Sequence, residues 1–79
     1  MNETTSEGVA VTVGGNIRRQ RRKRKMSVAA FAAAIERDPS NVWRIETGRS
    51  TPGMRTIQKI AAVLDVSYLE LIAGTEYAS

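Results

Sequence analysis

"DPSNVWRIETGRSTP", residues 38–52, holds a helix start, the chain's one tryptophan, and a glycine-terminated turn in a single short stretch. Asp38 has the side chain of an N-cap. Pro39 suits the first helical position, where the N–H it lacks would have had no helical partner. Val42 and Ile45, three apart, share one face, whereas Ser40, Asn41, Trp43 and Arg44 leave a polar and aromatic face with no apolar partner surface. Gly48 follows as the residue past the C-cap, and "RSTPG" turns the chain.

Working outward, Ser27 precedes "VAAFAAAIE", in which Val28, Phe31, Ala32 and Ile35 fall at helical spacing. Ser27 is therefore the N-cap of a second helix, and the alanines favour helix and close packing. Downstream, "MRTIQKIAAVLDV" repeats Met54, Ile57, Ile60, Ala61 and Leu64 at threes and fours, the densest apolar face of the chain. Ser67 caps a last short helix, "YLELIA", with Leu71 and Ile72 facing in and Gly74 beyond. Upstream, a first helix is expected from about Asn16 to Lys25, anchored by Ile17 with Val13 one turn earlier. Residues 1–14 are small, polar and Gly-containing and read as a flexible tail. The alternation of Val9, Val11 and Val13 leaves a short strand, paired in a dimer, as the minor alternative. The expected organisation is all-α: a tail over 1–14, a five-helix domain over 15–74, and a C-terminal tail over 75–79.

Composition narrows the chemistry. The chain has 79 residues with no cysteine and no histidine. A chain of this size buries only about 60 to 65% of its unfolded surface, enough for one small core and no large enclosed site. Disulfides, thiol nucleophiles, the usual zinc ligands and the commonest general base are excluded. Glu36, Asp38 and Glu46 could in principle supply a carboxylate pair for acid or base work or metal binding, but two of them have turn and cap roles, and no activated nucleophile or dedicated ligand set accompanies them. Neither an enzyme nor a cofactor or metal site is expected. The N-terminus lacks a basic region followed by a long apolar run, and no apolar stretch reaches membrane-spanning length, so the expectation is a soluble cytoplasmic protein.

Charge placement says more than the net +4. All twelve Lys and Arg lie between residues 17 and 59, where the acids are Glu36, Asp38 and Glu46; Glu3, Glu7, Asp65, Glu70 and Glu76 lie at the ends. "RRQRRKRK", residues 18–25, is the densest run. A solvated helix face is the bland reading of such a run. Cations without interleaved acids repel one another, however, and attract polyanions through counterion release.

Two short helices joined by "ERD", the second with a polar outer face, suggest a helix-turn-helix. The order of residues over about 16–73 resembles the Cro and phage-repressor (Xre-type) helix-turn-helix family. The matching marks are Ile17 and Arg21; Ser27, Phe31 and Ala32; "VWRIETGRSTP"; and "IQKIAAVLDVSYLELI". The family's usual residues are replaced at Gln20 and Arg37 (apolar there), at Lys25 and Glu36 (glycine) and at Val28 (glutamine). A side chain at Glu36 meets a turn that often wants positive φ, at a cost on the order of 1 kcal/mol. Val28 removes a polar group that helps hold phosphate or a base-reading side chain.

The resemblance implies a lambda-repressor-like DNA-binding domain, its helix-turn-helix formed by the second and third helices. It places Ser40, Asn41 and Arg44 at base edges in the major groove. Arg44 can grip guanine O6 and N7 with two hydrogen bonds; a phosphate contact is the alternative. Ser27, Val28, Pro39, Trp43, Arg49, Ser50 and Thr51 fall along the DNA backbone, and Arg21 with Glu46 forms an internal ion pair. Trp43 is expected to be partly exposed, because as a core filler it would break the Val42/Ile45 face. The implied function is a transcriptional regulator binding a pseudo-palindromic double-stranded operator as a homodimer. Leu69, apolar where the family is usually polar, with Tyr68 and Tyr77 nearby, is the expected dimer patch. The alternatives are a protein-interaction module such as an antitoxin, with an unknown protein partner, and a non-specific nucleic-acid binder.

Overall fold

The computed structural model describes residues 6–75. Five α-helices succeed one another: α1 Ser6–Lys23, α2 Val28–Ala34, α3 Pro39–Glu46, α4 Met54–Leu64 and α5 Tyr68–Ile72. No strand occurs among the described residues. α2 packs on α3, and α1 crosses α3, α4 and α5. One apolar cluster sits between them: Val13 and Ile17 from α1, Phe31, Ala32 and Ile35 from the α2 region, Val42 and Ile45 from α3, Ile57, Ile60, Ala61 and Leu64 from α4, and Leu71 from α5.

The first helix differs most from expectation. α1 begins at Ser6 rather than near Asn16, so residues 6–14 are neither tail nor strand but helix. Residues 1–5 and 76–79 of the expected tails, and Tyr77 with them, lie outside the described residues. Tertiary contact overrides the weak helix propensity of the glycines. Ala10 and Val13 are buried, in helical register with Ile17. Gly14 is a contact residue: a Cβ there would lie 2.2 Å from the Ile45 carbonyl oxygen, so its lack of a side chain lets α1 lie directly on the end of α3. Thr75, expected in the C-terminal tail, instead closes the last turn, its hydroxyl donating to the Ile72 carbonyl at 2.7 Å.

Asn16 fastens α1 to the end of α5. Its buried Nδ2 donates to the carbonyls of Leu71 and Ala73, each at 2.8 Å, and its Oδ1 accepts from Arg19 Nη2 at 2.7 Å. Carbonyls at the end of α5 that have no helical partner are satisfied in this way. Met54, expected in the apolar stripe of α4, is instead exposed, because it stands at the first position of the helix where the core has ended.

α1 to α4 all end alike. After each, one residue adopts the left-handed conformation, and paired N–H groups return to the last turn: Met26 to Arg21, Arg37 to Ala32, Arg49 to Arg44, and Val66 to Ala61, at 3.1, 2.8, 2.8 and 3.0 Å. The left-handed residues are Lys25, Glu36, Gly48 and Asp65, with φ of 58°, 61°, 80° and 57°. Glycine fills one of the four. The other three carry the steric cost of a Cβ, about 1 kcal/mol each. These turns fix where α2 and α3 begin, and so the aim of α3.

Candidate nucleic-acid interface

Val42 and Ile45 are buried and hold α3 against the core, which turns Ser40, Trp43, Arg44 and Thr47 to solvent. Pro39 occupies the start of the helix. Asp38 sits at the N-cap position with extended backbone, but its side chain makes no capping hydrogen bond, a departure from its expected role. Asn41 is half-buried, and its Oδ1 is buried with no hydrogen-bond partner, so it stands between the outward face and the core rather than squarely beside Ser40 and Arg44. Thr47 Oγ1 donates to the Trp43 carbonyl at 2.7 Å, steadying the last turn.

The flanks come from neighbouring elements. Ser27 caps α2, accepting from the Ala30 N–H at 3.0 Å. Val28 packs its side chain against the core, so only its backbone N–H remains for a ligand. Past α3, Arg49 and Thr51 are exposed and Ser50 is half-buried. Trp43 is 52% exposed, and the Arg49 guanidinium lies over its ring, 4.9 Å from the centroid. Among the described residues, the side chains of Ser40, Arg44, Ser50 and Thr51 make no hydrogen bond within the protein.

Arg21 and Glu46 meet beneath this surface. Arg21 Nε donates to Glu46 Oε2 at 2.6 Å and Nη2 to Oε1 at 3.0 Å, while Nη1 donates to the Met26 carbonyl at 2.7 Å. The hydrogen bond to the carboxylate raises the pKa of the Arg21 guanidinium above its ordinary value, against the opposing pull of burial. The acid on α3 is thereby neutralised from behind, and the outer face of the helix is left cationic.

Sequence reasoning missed a second pair of ties. Lys59 Nζ contacts Glu36 Oε1 at 2.7 Å, and Arg37 Nη2 donates to Thr56 Oγ1 at 2.8 Å, so the turn between α2 and α3 is pinned to α4. The signal lay at Glu36 and Arg37, two places where this chain departs from the family pattern with charged side chains. Among the described residues no group of His, Cys, Asp or Glu could hold a metal ion, and no helix is long and apolar enough to cross a membrane.

A short helix fastened by two apolar residues, braced by a helix and turn before it and edged by unpaired cations, defines a helix-turn-helix DNA-binding domain. A family model described as a helix-turn-helix domain matches residues 12–73. The chain belongs to that family, in its Cro and phage-repressor (Xre-type) line. It is 41% identical over 62 residues to RghRB of Bacillus subtilis (strain 168), described as an uncharacterized HTH-type transcriptional regulator. The match takes in 77% of this chain and 45% of that protein, so the chain spans about half the length of its curated relative. The restriction-modification controller protein C.AhdI from Aeromonas hydrophila superposes with a TM-score of 0.75 at 29% identity, over 78% of this chain and 94% of its own. An HTH_3 family transcriptional regulator from Vibrio cholerae superposes with a TM-score of 0.80 at 26% identity, over 87% of this chain and 39% of its own.

Proposed function

We propose that this protein is a cytoplasmic transcriptional regulator that recognises a double-stranded operator by laying α3 in the major groove. One observation carries the reading: the face of α3 opposite the buried Val42 and Ile45 presents Ser40 and Arg44 unpaired, beside the exposed Arg49. Arg44 reads guanine through two hydrogen bonds, and Ser40 and Asn41 bond to neighbouring base edges. Ser27, the N–H of Val28, Pro39, Arg49, Ser50 and Thr51 line the sugar-phosphate backbone on either side, with Trp43 against Arg49. Counterion release by the central basic residues supplies the sequence-independent part of the affinity.

A domain of this size reads about 4 to 6 base pairs, so pairing two copies on half-sites one helical turn apart supplies the remaining specificity. Exposed Tyr68 and Leu69 on α5 offer an apolar patch for a homodimer. Selection of binding sites from a pool of random duplexes, with sedimentation of the protein alone and on DNA, tests both parts. A two-fold motif bound by two copies is the expected result. Recovery of no motif would leave a non-specific binder, and failure to bind duplex at all would leave a protein-interaction module such as an antitoxin.

A further inference from the structure

The first turns of α1 and the C-terminal half of α3 enclose an open groove of about 700 Å³, lined by Val11, Trp43, Arg44, Thr47, Gly48 and Arg49. Trp43 is the unexplained member. Its indole is too exposed to hold the core together, and as a solitary aromatic it leaves apolar surface in water. Its neighbour supplies the reason. The Arg49 guanidinium lies over the indole ring, its central carbon 4.9 Å from the ring centroid, and the Arg49 N–H is bonded to the Arg44 carbonyl at 2.8 Å. A loop arginine is thus held at both ends, by its backbone and by its charged tip.

We propose that Trp43 is a positioning residue for Arg49: the indole holds the guanidinium at the mouth of the groove, beside Arg44, so that Arg49 meets a phosphate of the duplex backbone already ordered. The inference rests on the DNA-binding reading and goes beyond it, because it gives Trp43 a role exerted through Arg49 rather than through DNA. The physics favours such a contact. The face of an indole is electronegative and attracts a cation, and this attraction uses none of the guanidinium N–H groups, which stay free to donate. Binding then requires less ordering of a flexible side chain at the moment of contact. Arg49 then stands as an ordered cation beside the free side chain of Arg44, the first aimed at the strand and the second at bases.

The experiment compares wild type, Trp43→Leu, Trp43→Phe, Arg49→Gln and the Trp43→Leu/Arg49→Gln double variant, each titrated with the selected operator and an unrelated duplex over a range of salt. Side-chain proton shifts of Arg49 are recorded in the free proteins. Ring-current shifts on Arg49 are expected in wild type and in Trp43→Phe and should vanish in Trp43→Leu, with all melting temperatures close to wild type. Trp43→Leu should weaken both duplexes alike by about two- to fivefold, the range expected for loss of an exposed cation–π contact. Its salt slope should stay that of wild type, because Arg49 keeps its charge, whereas Arg49→Gln should flatten the slope by about one unit. The double variant should bind no more weakly than Arg49→Gln alone. Losses that multiply in the double variant, a Trp43→Leu loss confined to one sequence, or wild-type Arg49 protons at unshifted positions would each overturn the assignment. Shifted Arg49 protons in a wild-type protein that binds no duplex would overturn the DNA-binding reading, and this inference with it.

Discussion

Arg21 and Glu46 form a bidentate ion pair across the α1–α3 junction, with side chains only 10% and 6% exposed. Three elements meet there, since the same guanidinium also holds the Met26 carbonyl at the entry to α2. Removing one partner leaves a buried charge without its counterion, which typically costs about 3 to 5 kcal/mol. Glu46→Gln and Arg21→Met should each show a loss on that scale in urea unfolding. The Arg21→Met/Glu46→Leu double variant should recover much of it, because no charge is then stranded. A double variant as unstable as the sum of the singles would contradict the desolvation argument.

Gly14 and Gly15 are neighbours with opposite demands. A Cβ on Gly14 would press on the Ile45 and Glu46 carbonyl oxygens at 2.2 and 2.9 Å, which are backbone atoms that cannot swing aside. Gly14→Ala should therefore push α1 off α3, loosen the Arg21–Glu46 pair and lower the melting temperature sharply. Gly15 has no heavy atom within 4 Å of the corresponding position, so alanine there gains about 0.5 to 1 kcal/mol of helix propensity. Thermal melts that moved both variants in the same direction would disprove the crossing geometry.

These two glycines also show where sequence reasoning reached its limit. The starts of α2 and α3 and the end of α3 are legible in Ser27, Pro39 and Gly48, and the restart at α4 in its apolar spacing, although Asp38 holds its N-cap position without a capping bond. The start of α1 is not legible because residues 6–14 are small, polar and Gly-containing, and only the close approach of α3, which no local pattern displays, makes Gly14 a contact. Val9, Ala10, Val13, Asn16 and Ile17 do share one helical face, so the signal was present but outweighed. The outward face of α3 followed from Val42 and Ile45 alone. The Arg49–Trp43 contact and the Lys59–Glu36 tie did not, because each depends on the direction a long side chain takes across a turn.

The Lys59–Glu36 tie makes a pH-dependent prediction. The hydrogen bond from Lys59, followed by its charge, holds the Glu36 carboxyl below the usual carboxylate range. With the folded pKa depressed, the unfolded chain binds more protons in that window. The contribution is therefore present above the ordinary carboxylate pKa and is lost as pH falls through the folded value. Both side chains are exposed, so the effect is small and screened by salt. Lys59→Met should raise the Glu36 titration midpoint seen by carbon NMR, and its melting difference from wild type should shrink as pH falls below the ordinary carboxylate range. An unmoved midpoint would mean that the pair does not form in solution.

Arg44 carries the sequence-reading part of the proposal. It is exposed, its side chain makes no hydrogen bond within the protein among the described residues, and its backbone carbonyl accepts from the Arg49 and Ser50 N–H groups at 2.8 and 3.1 Å. Arg44→Ala keeps those backbone bonds and the buried Val42/Ile45 face, so the melting temperature should stay close to wild type. Binding should change selectively. A lost two-bond contact to guanine costs about 1 to 3 kcal/mol on the preferred site and relaxes discrimination at one position per half-site, with much less loss on unrelated duplex. Fluorescence anisotropy with operators substituted one base pair at a time measures both quantities. Equal weakening on every sequence would make Arg44 a phosphate contact, and no weakening at all would move the recognition surface off α3.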